Sequence, residues 1–569
     1  MDMRQSVAEL LREAARAAFP QLPEAELPQP AMLEVPPDSE LGDFAFPCFR
    51  LSKALRMAPP AIAQQIAGAA NRPEVASAQN VGGYVNLFFH RANFAQNVLE
   101  DVLARGRDYG REPENGRTVV LDYSSINIAK RFHIGHLSTT MLGNSLKRIY
   151  AHLGWRTVGI NHLGDWGTQF GKMIAAFKRW GDWEMVEKGG VDALTALYVR
   201  FHQEEEGDPC LLEEGRAWFR RIEEGDPEAA EIFGRFKELT LKDAQKVYDL
   251  LGITFDSYNG EAFFNDKMGR VIDELREKGL LEESEGAFVV DLEAYKMPPC
   301  LILKSDGATL YATRDLAAAL WRKDTYHFDK CLYVVAYQQN LHFRQVFKVL
   351  ELMGYGWAKD QMEHVAFGMV SYEGQAMSTR EGNVVHLDEL LARAQEKALS
   401  VIEEKSPGLP GKADAARAVG VGAVIFTTLL NSRIKDIDFW WDRALNFDGD
   451  TGPYVQYTHA RCCSVLRKAE ENGAAPDYRA LTDDEAQAVL RLLSRFPEAI
   501  RQAQKDNEPS AVTRATLDVA KAFNKYYYER RILDADAPGT KARLALTRAV
   551  RNVIELGLSL IGVKAPEQM

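Results

Sequence analysis

The chain has 569 residues, of which 46% are hydrophobic and 26% charged, and its formal net charge is −12 at pH 7. This composition is typical of a folded protein and argues against a disordered chain. The length exceeds what one hydrophobic core holds, so we expect roughly three or four domains. No apolar run approaches the roughly 20 residues that cross a bilayer, and the first residues lack the apolar segment of a signal peptide. We therefore expect a cytoplasmic protein with no membrane partner.

Residues 1–110 are predicted to form an N-terminal α+β module. Apolar residues recur at helical spacing through the first turns of the chain, and GDFAFPCFRLSKAL and the strand-like YVNLFF follow. The segment RDYGREPENG is rich in turn formers and ends the module.

Residues 111–410 are predicted to form a doubly wound α/β domain. TVVLDYSS suits a buried parallel strand, HLSTTMLGNSLKRIYAHLGW has helical periodicity, and RTVGINHLGD supplies a second strand. Strand, helix and strand in this order form a βαβ unit, hence a parallel sheet. The acidic helical stretch at about 175–295 is predicted to be an insertion. After it the sheet is expected to resume with PPCLILKSDGATLYATRD, CLYVVAY and HVAFGMV.

Residues 411–569 are predicted to form an all-helical domain, with a hinge at SPGLPGK before it. The apolar run from Val419 to Leu430 contains two threonines and is interpreted as a buried helix. Cys462 and Cys463 fit a helical pattern as buried thiols. Because the six cysteines form no C-x-x-C pair and no His lies at zinc spacing, we expect no structural metal site.

The first motif with clear chemistry is His133-Ile134-Gly135-His136, where the loop after the first strand turns into a helix. Backbone N–H groups and the positive end of the helix dipole converge at such a point, which suits phosphate. Gly135 allows a ligand close to the backbone, and two imidazoles can stabilise charge on a pentacoordinate phosphorus. On its own, the pattern fits a chance match or two packing histidines about as well.

Longer stretches around this motif resemble the arginyl-tRNA synthetases, a family of class I aminoacyl-tRNA synthetases. The similarity is carried by LDYSSINIAKRFHIGHLSTT, GINHLGDWGTQFGK, LYATRDLAAAL, QQNLHF, MSTREGN, TGPYVQYTHARCCSVLRKA and the terminal APEQM. It covers nearly the whole chain in the right order and spacing. The resemblance implies a Rossmann-like catalytic domain with a helical insertion, an N-terminal module that binds the tRNA D-loop, and a helical anticodon-binding domain.

The resemblance also implies a two-step reaction that joins L-arginine to tRNA(Arg). The arginine carboxylate attacks the α-phosphate of ATP to give arginyl-adenylate and pyrophosphate, and the 2′-hydroxyl of the terminal tRNA adenosine then takes the arginyl group. Neither step needs a protein nucleophile, so catalysis is positioning and charge stabilisation. Mg²⁺ would accompany ATP without a dedicated protein site. We expect a monomer that needs bound tRNA for activation and has no DNA partner.

By the family pattern, two segments handle ATP. They supply Lys130, His133, Gly135 and His136 from the first segment and Met377, Ser378 and Arg380 from the second. Ala376 replaces the usual leading lysine of the second segment, so Lys130 is expected to supply the missing charge. A lysine in a loop would otherwise be a solvated surface group.

The sequence departs from the family at three further positions. Ile126 and Arg131 stand where proline is common, and Glu381 stands where many relatives carry lysine. An acidic side chain near pyrophosphate is unfavourable, at a cost under ~1 kcal/mol in a solvated loop. We expect Arg131 to offset it.

Arginine selection calls for carboxylates, because a planar guanidinium presents paired donors that match two oxygens. Asp122 and Asp315 match the family positions, and Tyr311 precedes Asp315 by one helical turn. A helix N-cap remains an alternative role for Asp315. Ser125, Asn127 and Gln339 are expected to hold the remaining polar groups of the substrate.

For tRNA, Tyr454, Tyr457 and Arg461 fall on one side of a predicted helix at i, i+3 and i+7. Two aromatic rings beside a guanidinium form a stacking platform for anticodon bases, and an aromatic core stripe is the alternative. The resemblance adds Tyr526, Tyr527 and Met569 to this surface. It also places Asn86 at the tRNA D-loop, although a buried Asn that closes a β-turn fits nearly as well.

Three other functions remain open on the sequence. A weakly active or inactive tRNA-binding paralogue, with a regulatory or inhibitor-resistance role, is suggested by Ala376 and Glu381. The intact His133-Ile134-Gly135-His136 sequence, called the HIGH motif below, argues against it. A synthetase for an apolar amino acid would not call for two buried carboxylates. A small-molecule nucleotidyltransferase has no use for the helical C-terminal domain.

Overall fold

A computed structural model of the chain describes residues 3–36, 39–72, 75–304, 309–376, 385–469, 475–534 and 537–569. The N-terminal elements are α1 (Met3–Ala18), β1 (Phe44–Pro47), α2 (Leu51–Leu55), α3 (Pro59–Ala70), β2 (Val75–Val81), β3 (Tyr84–Phe89) and α4 (Arg91–Arg105). The strands form an antiparallel sheet in the order β1-β3-β2. Val7, Leu11 and Ala15 of α1 are buried in a core that belongs to this module. The predicted opening helix and the YVNLFF strand are confirmed.

The central part of the chain alternates strands and helices. Its elements are β4 (Thr118–Asp122), α5 (Leu137–His152), β5 (Arg156–Ile160), α6 (Thr168–Trp180), α7 (Trp183–Glu205), α8 (Pro209–Glu223), α9 (Pro227–Leu251), α10 (Met268–Glu277), β6 (Glu282–Ser284), β7 (Ala287–Val290), β8 (Cys300–Leu303), α11 (Tyr311–Tyr326), β9 (Lys330–Tyr333), α12 (Asn340–Leu352), α13 (Trp357–Gln361) and β10 (Met362–His364). Along the chain, helices α6 to α10 and strands β6 to β8 come after β5 and before β9, two strands of the main sheet.

The main sheet is parallel and has the order β10-β9-β4-β5. The chain goes from β4 to β5 on one side and later returns to β9 on the other side, so the winding reverses between β4 and β9. In sheets of this type, ligands bind in the crevice at the carboxyl ends of the strands where the winding reverses. Every residue of β4 is buried, as predicted for a parallel strand covered on both faces.

Two expected strands of the main sheet lie elsewhere. β8, from PPCLILKSDGATLYATRD, pairs antiparallel with β7 in a separate sheet of order β6-β7-β8. Its Leu301 is 53% exposed between buried neighbours, which is typical of an antiparallel strand with one solvated face. HVAFGMV is divided, because its first residue ends β10 and its last belongs to a third sheet.

The C-terminal part is helical except for one short strand. Its elements, after β11 (Val370–Tyr372) and β12 (Gln375–Ala376), are α14 (Leu387–Lys405), α15 (Lys412–Leu430), β13 (Ile437–Phe439), α16 (Trp441–Ala444), α17 (Gly452–Lys468), α18 (Asp484–Lys505), α19 (Ser510–Glu529) and α20 (Ala537–Leu560). β13 pairs in parallel with β11, so this pairing joins the C-terminal part to the segment that follows the main sheet. Within the described ranges, only α15 is long and apolar enough to cross a membrane. Most of α15 is buried, and it packs against α14 and α17. Cys462 and Cys463 are buried in α17, as predicted.

Candidate active site and tRNA-binding surface

The HIGH motif forms a tight turn, Ile134–His136, that leads directly into α5. The Gly135 N–H donates to Nδ1 of His133 at 3.1 Å, and the His133 N–H donates to Nδ1 of His136 at 3.3 Å. The two imidazole centroids are 4.0 Å apart. A Cβ at Gly135 would lie 2.8 Å from the His133 ring, so this turn requires glycine. The two Nδ1 atoms are acceptors, which leaves the proton of each neutral imidazole on Nε2.

Both histidines are held neutral. Burial, with the charges of His386 and Lys130, lowers the pKa of His133 to about 4. Burial, with His133 and Lys130, lowers the pKa of His136 to about 3. At neutral pH the turn therefore presents two uncharged N–H donors at the start of a helix, an arrangement that suits phosphate.

The loop between β4 and this turn is strained and held by many hydrogen bonds. Ser124, Ser125 and Ala129 have positive φ angles of 73°, 46° and 61°. The Ser124 N–H donates to the Thr139 hydroxyl at 3.0 Å, and the Ser124 hydroxyl lies 2.8 Å from that of Tyr248. The Ala129 N–H donates to the Thr240 hydroxyl at 3.0 Å. Strained backbone that the surroundings fix in this way is characteristic of functional sites.

Lys130 is exposed and lies at a cavity of about 1180 Å³ between this loop and α7. The second predicted segment, with Met377, Ser378, Arg380 and Glu381, lies outside the described residues. Its C-terminal flank pairs with the HIGH segment: the Ile134 N–H donates to the Val385 carbonyl at 3.0 Å, and the Leu387 N–H donates to the Phe132 carbonyl at 2.9 Å. The sequence analysis did not foresee this pairing.

Arg131 is paired with carboxylates from two helices. Its guanidinium forms ion pairs with Asp388 at 2.7 Å, Glu389 at 2.9 Å and Asp192 at 3.3 Å. Three carboxylates on α7 and α14 already pair with Arg131, and its expected compensation of Glu381 stays a prediction, since Glu381 lies outside the described residues. Through these ion pairs, Arg131 joins the HIGH segment to α7 and α14.

Asp315 lies in the second turn of α11, and Leu310 caps that helix, so the N-cap alternative is wrong. Its Oδ2 accepts a hydrogen bond from Nε2 of His342 at 2.6 Å. Burial alone would raise the pKa of Asp315, but this bond and the charges of His342, His162 and Arg322 hold the pKa below its usual value. Tyr311, at the start of α11, is 69% exposed.

Asp122 ends β4 and is buried. Its Oδ2 lies 2.8 Å from Nη2 of Arg322, and its Oδ1 accepts from the Ser125 hydroxyl at 3.0 Å. Arg322 is 1% exposed and stacks near the Tyr333 ring, at 5.4 Å from its centroid. The sequence analysis missed Arg322, although its position two helical turns after Asp315 places both on one face of α11.

The remaining predicted substrate contacts lie in the segments that follow β4 and β9. Asn127 is half-buried against Gly164, where an added Cβ would lie 2.1 Å from the Asn127 Oδ1. Gln339 is exposed at the end of the turn that follows β9. Across the described residues, no group of three or more His, Cys, Asp or Glu side chains is arranged to hold a metal ion.

Glu261 is a carboxylate near this site that sequence reasoning missed. Its Oε2 lies 3.3 Å from Nη1 of the buried Arg314. Burial raises the pKa of Glu261 to about 7, with Arg314 opposing the rise and Asp315 and Asp165 adding to it. No motif marks Glu261 in the sequence, because its neighbours come from distant segments.

The predicted anticodon platform is formed in part. The Arg461 guanidinium lies over the rings of Tyr457 and Tyr527, at 4.9 and 5.0 Å from their centroids. These three residues and Met569 line a cavity of about 680 Å³. The same cavity is lined by Arg467, Lys468, Arg530 and Arg531, which sequence reasoning missed. Tyr454 is half-buried on α17.

Two predicted tRNA contacts are buried. Tyr526 is fully buried and Asn86 is 3% exposed. Asn86 lies inside β3, opposite Ala45 of β1 and Gln79 of β2, so the alternative of an Asn that closes a β-turn is wrong.

Comparisons with known proteins cover the chain from end to end. The family model "Arginyl tRNA synthetase N terminal domain" matches residues 2–89, "tRNA synthetases class I (R), catalytic domain" matches 98–441, and "DALR anticodon binding domain" matches 455–569. The arginine–tRNA ligase of Alkaliphilus metalliredigens is 51% identical over 573 aligned positions, which cover 100% of both chains. This chain belongs to the arginyl-tRNA synthetase family.

Further relatives and solved structures support the assignment of this chain to the arginyl-tRNA synthetase family. The arginine–tRNA ligase of Clostridioides difficile is 53% identical and covers 95% of this chain and 96% of its own. The solved structure of the Thermus thermophilus arginyl-tRNA synthetase has a TM-score of 0.84 at 28% identity, with 100% of both chains covered. The Plasmodium falciparum arginyl-tRNA synthetase, at 22% identity and a TM-score of 0.79, shares the fold. The predicted fold class of this synthetase is confirmed, whereas the roles of single residues stay predictions.

Proposed function

We propose that this arginine–tRNA ligase forms arginyl-adenylate in the crevice at the carboxyl ends of β4 and β9 and then transfers arginine to tRNA(Arg). Three features support this location: the HIGH turn in the segment after β4, Asp122 at the end of β4, and Asp315 on the helix before β9, where Arg322 pairs with Asp122 and its charge acts on Asp315. A parallel sheet places ligands at this point.

The triphosphate of ATP binds at the start of α5 in this proposal. The Nε2–H groups of His133 and His136 donate to phosphate oxygens, and Gly135 keeps the backbone accessible. Lys130 supplies the positive charge that Ala376 does not. Met377, Ser378 and Arg380 of the second segment also contribute to ATP binding by the family pattern, and Mg²⁺ arrives with ATP.

The arginine guanidinium binds Asp315, with Tyr311 and Gln339 at the mouth of the crevice. Asp122 contributes the second carboxylate. Each carboxylate oxygen has two acceptor positions, so the bonds from Arg322 and Ser125 leave Asp122 with acceptor capacity. Asn127 and Ser125 hold the amino and carboxyl ends of the substrate. Lysine leaves such buried acceptors mismatched, at penalties that reach ~10⁴ in selectivity, so no editing site is needed.

The tRNA binds across all three predicted units, 1–110, 111–410 and 411–569. Tyr457, Arg461 and Tyr527 stack anticodon bases, and Met569 borders them. Tyr454 and the buried Tyr526 support this platform from the helical core. Asn86 supports the D-loop contact from inside the N-terminal sheet.

Finer properties also belong to this proposal. We expect the synthetase to act as a cytoplasmic monomer, with bound tRNA required for activation and with no DNA or membrane partner. The alternative of an inactive tRNA-binding paralogue is not favoured, because the HIGH turn and Asp315 keep the geometry described above.

Aminoacylation assays with each amino acid test the function. We expect charging of tRNA(Arg) with arginine alone and ATP consumption only when arginine and tRNA are both present. No ATP turnover with arginine and tRNA would contradict the proposal and support the paralogue. Turnover with a different amino acid would refute the assigned specificity.

A further inference from the structure

A histidine outside the HIGH motif contacts the carboxylate that we place against the guanidinium. His342 lies near the start of α12, and its Nε2 is 2.6 Å from Oδ2 of Asp315. The two side chains are 24% and 28% exposed, so the pair borders the crevice and is not sealed in the core. We propose that His342 is a positioning residue for arginine recognition, which holds Oδ2 so that Oδ1 faces the guanidinium. This role rests on the proposed function of Asp315.

The geometry supports a role in orientation. The terminal torsion of an aspartate is soft, so a carboxylate with no partner samples many orientations. A guanidinium binds best when both oxygens lie in one fixed plane. His342 fixes this plane from one side, and among the described residues no hydrogen bond reaches Oδ1 of Asp315. A recognition group whose rotamer is locked by a second side chain loses less entropy on binding.

The imidazole of His342 is itself held in place. Its ring lies 5.3 Å from that of Phe343, at an interplanar angle of 76°, and Phe343 is buried among the rings of Tyr333, Phe347 and His364. His342 therefore packs against a rigid cluster of aromatic side chains. Because Asp315 is on α11 and His342 on α12, the contact also fixes the two helices that flank β9.

The surrounding charges favour an ionised Asp315. The charges of His162 and Arg322 act on Asp315 and lower its pKa together with His342. Glu261, which pairs with Arg314, shows the opposite behaviour, because burial raises its pKa to about 7. Two neighbouring carboxyl groups thus differ in environment, and the one with the histidine partner stays charged.

Kinetics of variants separate positioning from a structural role. His342→Leu removes the donor and is expected to raise the KM for arginine roughly 10- to 100-fold, the range for loss of a charge-assisted hydrogen bond. The KM values for ATP and tRNA should stay within about twofold, because the contact touches only the arginine site. His342→Gln keeps an N–H donor and should recover most of the loss. His90→Gln, at an exposed histidine of the N-terminal module, is the matched control.

A double-mutant cycle with Asp315→Asn completes the test. In that background His342→Leu should change the KM for arginine by less than about threefold, because the residue it positions is already altered. If His342→Leu does not fold, His342→Asn, whose amide is too short to reach Asp315, replaces it.

Four outcomes would overturn the inference. Equal rises in all three KM values, or a full effect of His342→Leu in the Asp315→Asn background, would indicate a purely structural role. A raised KM for arginine in Asp315→Asn with an unchanged value in His342→Leu would refute the role of His342 alone. An unchanged KM in Asp315→Asn would overturn the proposed arginine site and, with it, this inference.

Discussion

At the scale of single residues, we predict that Lys130 supplies positive charge near the phosphates, because Ala376 stands where the family usually has lysine. Lys130 is exposed beside the HIGH turn, and its charge reaches both histidines. We predict that Lys130→Ala abolishes tRNA-dependent pyrophosphate exchange, with a loss of at least roughly 100-fold, since charge stabilisation dominates this chemistry. Lys188→Ala, at an exposed lysine of α7, should have little effect. Exchange near the wild-type rate in Lys130→Ala would refute this role.

Glu261 is predicted to make arginine use depend on pH. Its pKa is raised to about 7, so its carboxyl is neutral below that pH and charged above it. A negative charge near the crevice favours a guanidinium, so kcat/KM for arginine should rise several-fold between about pH 6 and pH 8. His133 and His136 have pKa values lowered to about 4 and about 3 and stay neutral throughout.

The same measurement on Glu261→Gln provides the check. The rise of kcat/KM between about pH 6 and pH 8 should disappear, because the amide does not titrate there. A rise that persists unchanged in Glu261→Gln would assign the pH dependence to another group.

At the scale of elements, the loop after β4 depends on close packing at Gly164. An added Cβ would lie 2.1 Å from the Asn127 Oδ1, and backbone hydrogen bonds join Gly164 to Ile126 and Ile128. Gly164→Ala should therefore displace the loop that carries Lys130, lower kcat roughly 10- to 100-fold and cost about 1–3 kcal/mol of stability. Gly234→Ala, in a helix with open space at that position, is the control. Full activity in Gly164→Ala would contradict this account of the loop.

Local patterns predict some of these elements and not others. β4, α5 and β5 follow from β-branched runs and helical periodicity, because these patterns are contained within each segment. The pairing of β8 with β7 cannot be predicted in this way, since a short apolar run does not indicate which strand lies beside it. In the same way, the family motifs predict roles for Asp122 and Asp315, whereas the contacts of Arg322 and His342 with these carboxylates form only when α11 and α12 pack beside the sheet.

At the scale of the whole molecule, the catalytic and anticodon-binding parts share one hydrophobic core, which runs from α4 through α5 to α20. The N-terminal module has its own core and meets α18 through ion pairs of Asp43 with Arg491 and of Arg4 with Glu498. A continuous core keeps the anticodon platform at a fixed distance from the crevice. In this proposal, the anticodon of a bound tRNA is recognised at a fixed distance from the site of the reaction.

This arrangement predicts separable defects. Arg461→Ala removes the guanidinium between Tyr457 and Tyr527 and should raise the KM for tRNA roughly 10-fold, as expected for loss of a stacking contact. At saturating tRNA, the KM values for arginine and ATP should change little. Arg479→Ala, at an exposed arginine of the same part of the chain, is the control. An unchanged KM for tRNA, or an equal rise for arginine, would contradict the platform.

The central claim is that arginine is selected by carboxylates beside a phosphate site in one crevice. A crystal structure of the synthetase with arginine and a non-hydrolysable ATP analogue tests it most directly. We predict the guanidinium against Asp315, with Asp122 nearby, and the triphosphate at the Nε2 atoms of His133 and His136. An arginine bound away from Asp315, or phosphates remote from the HIGH turn, would contradict the account.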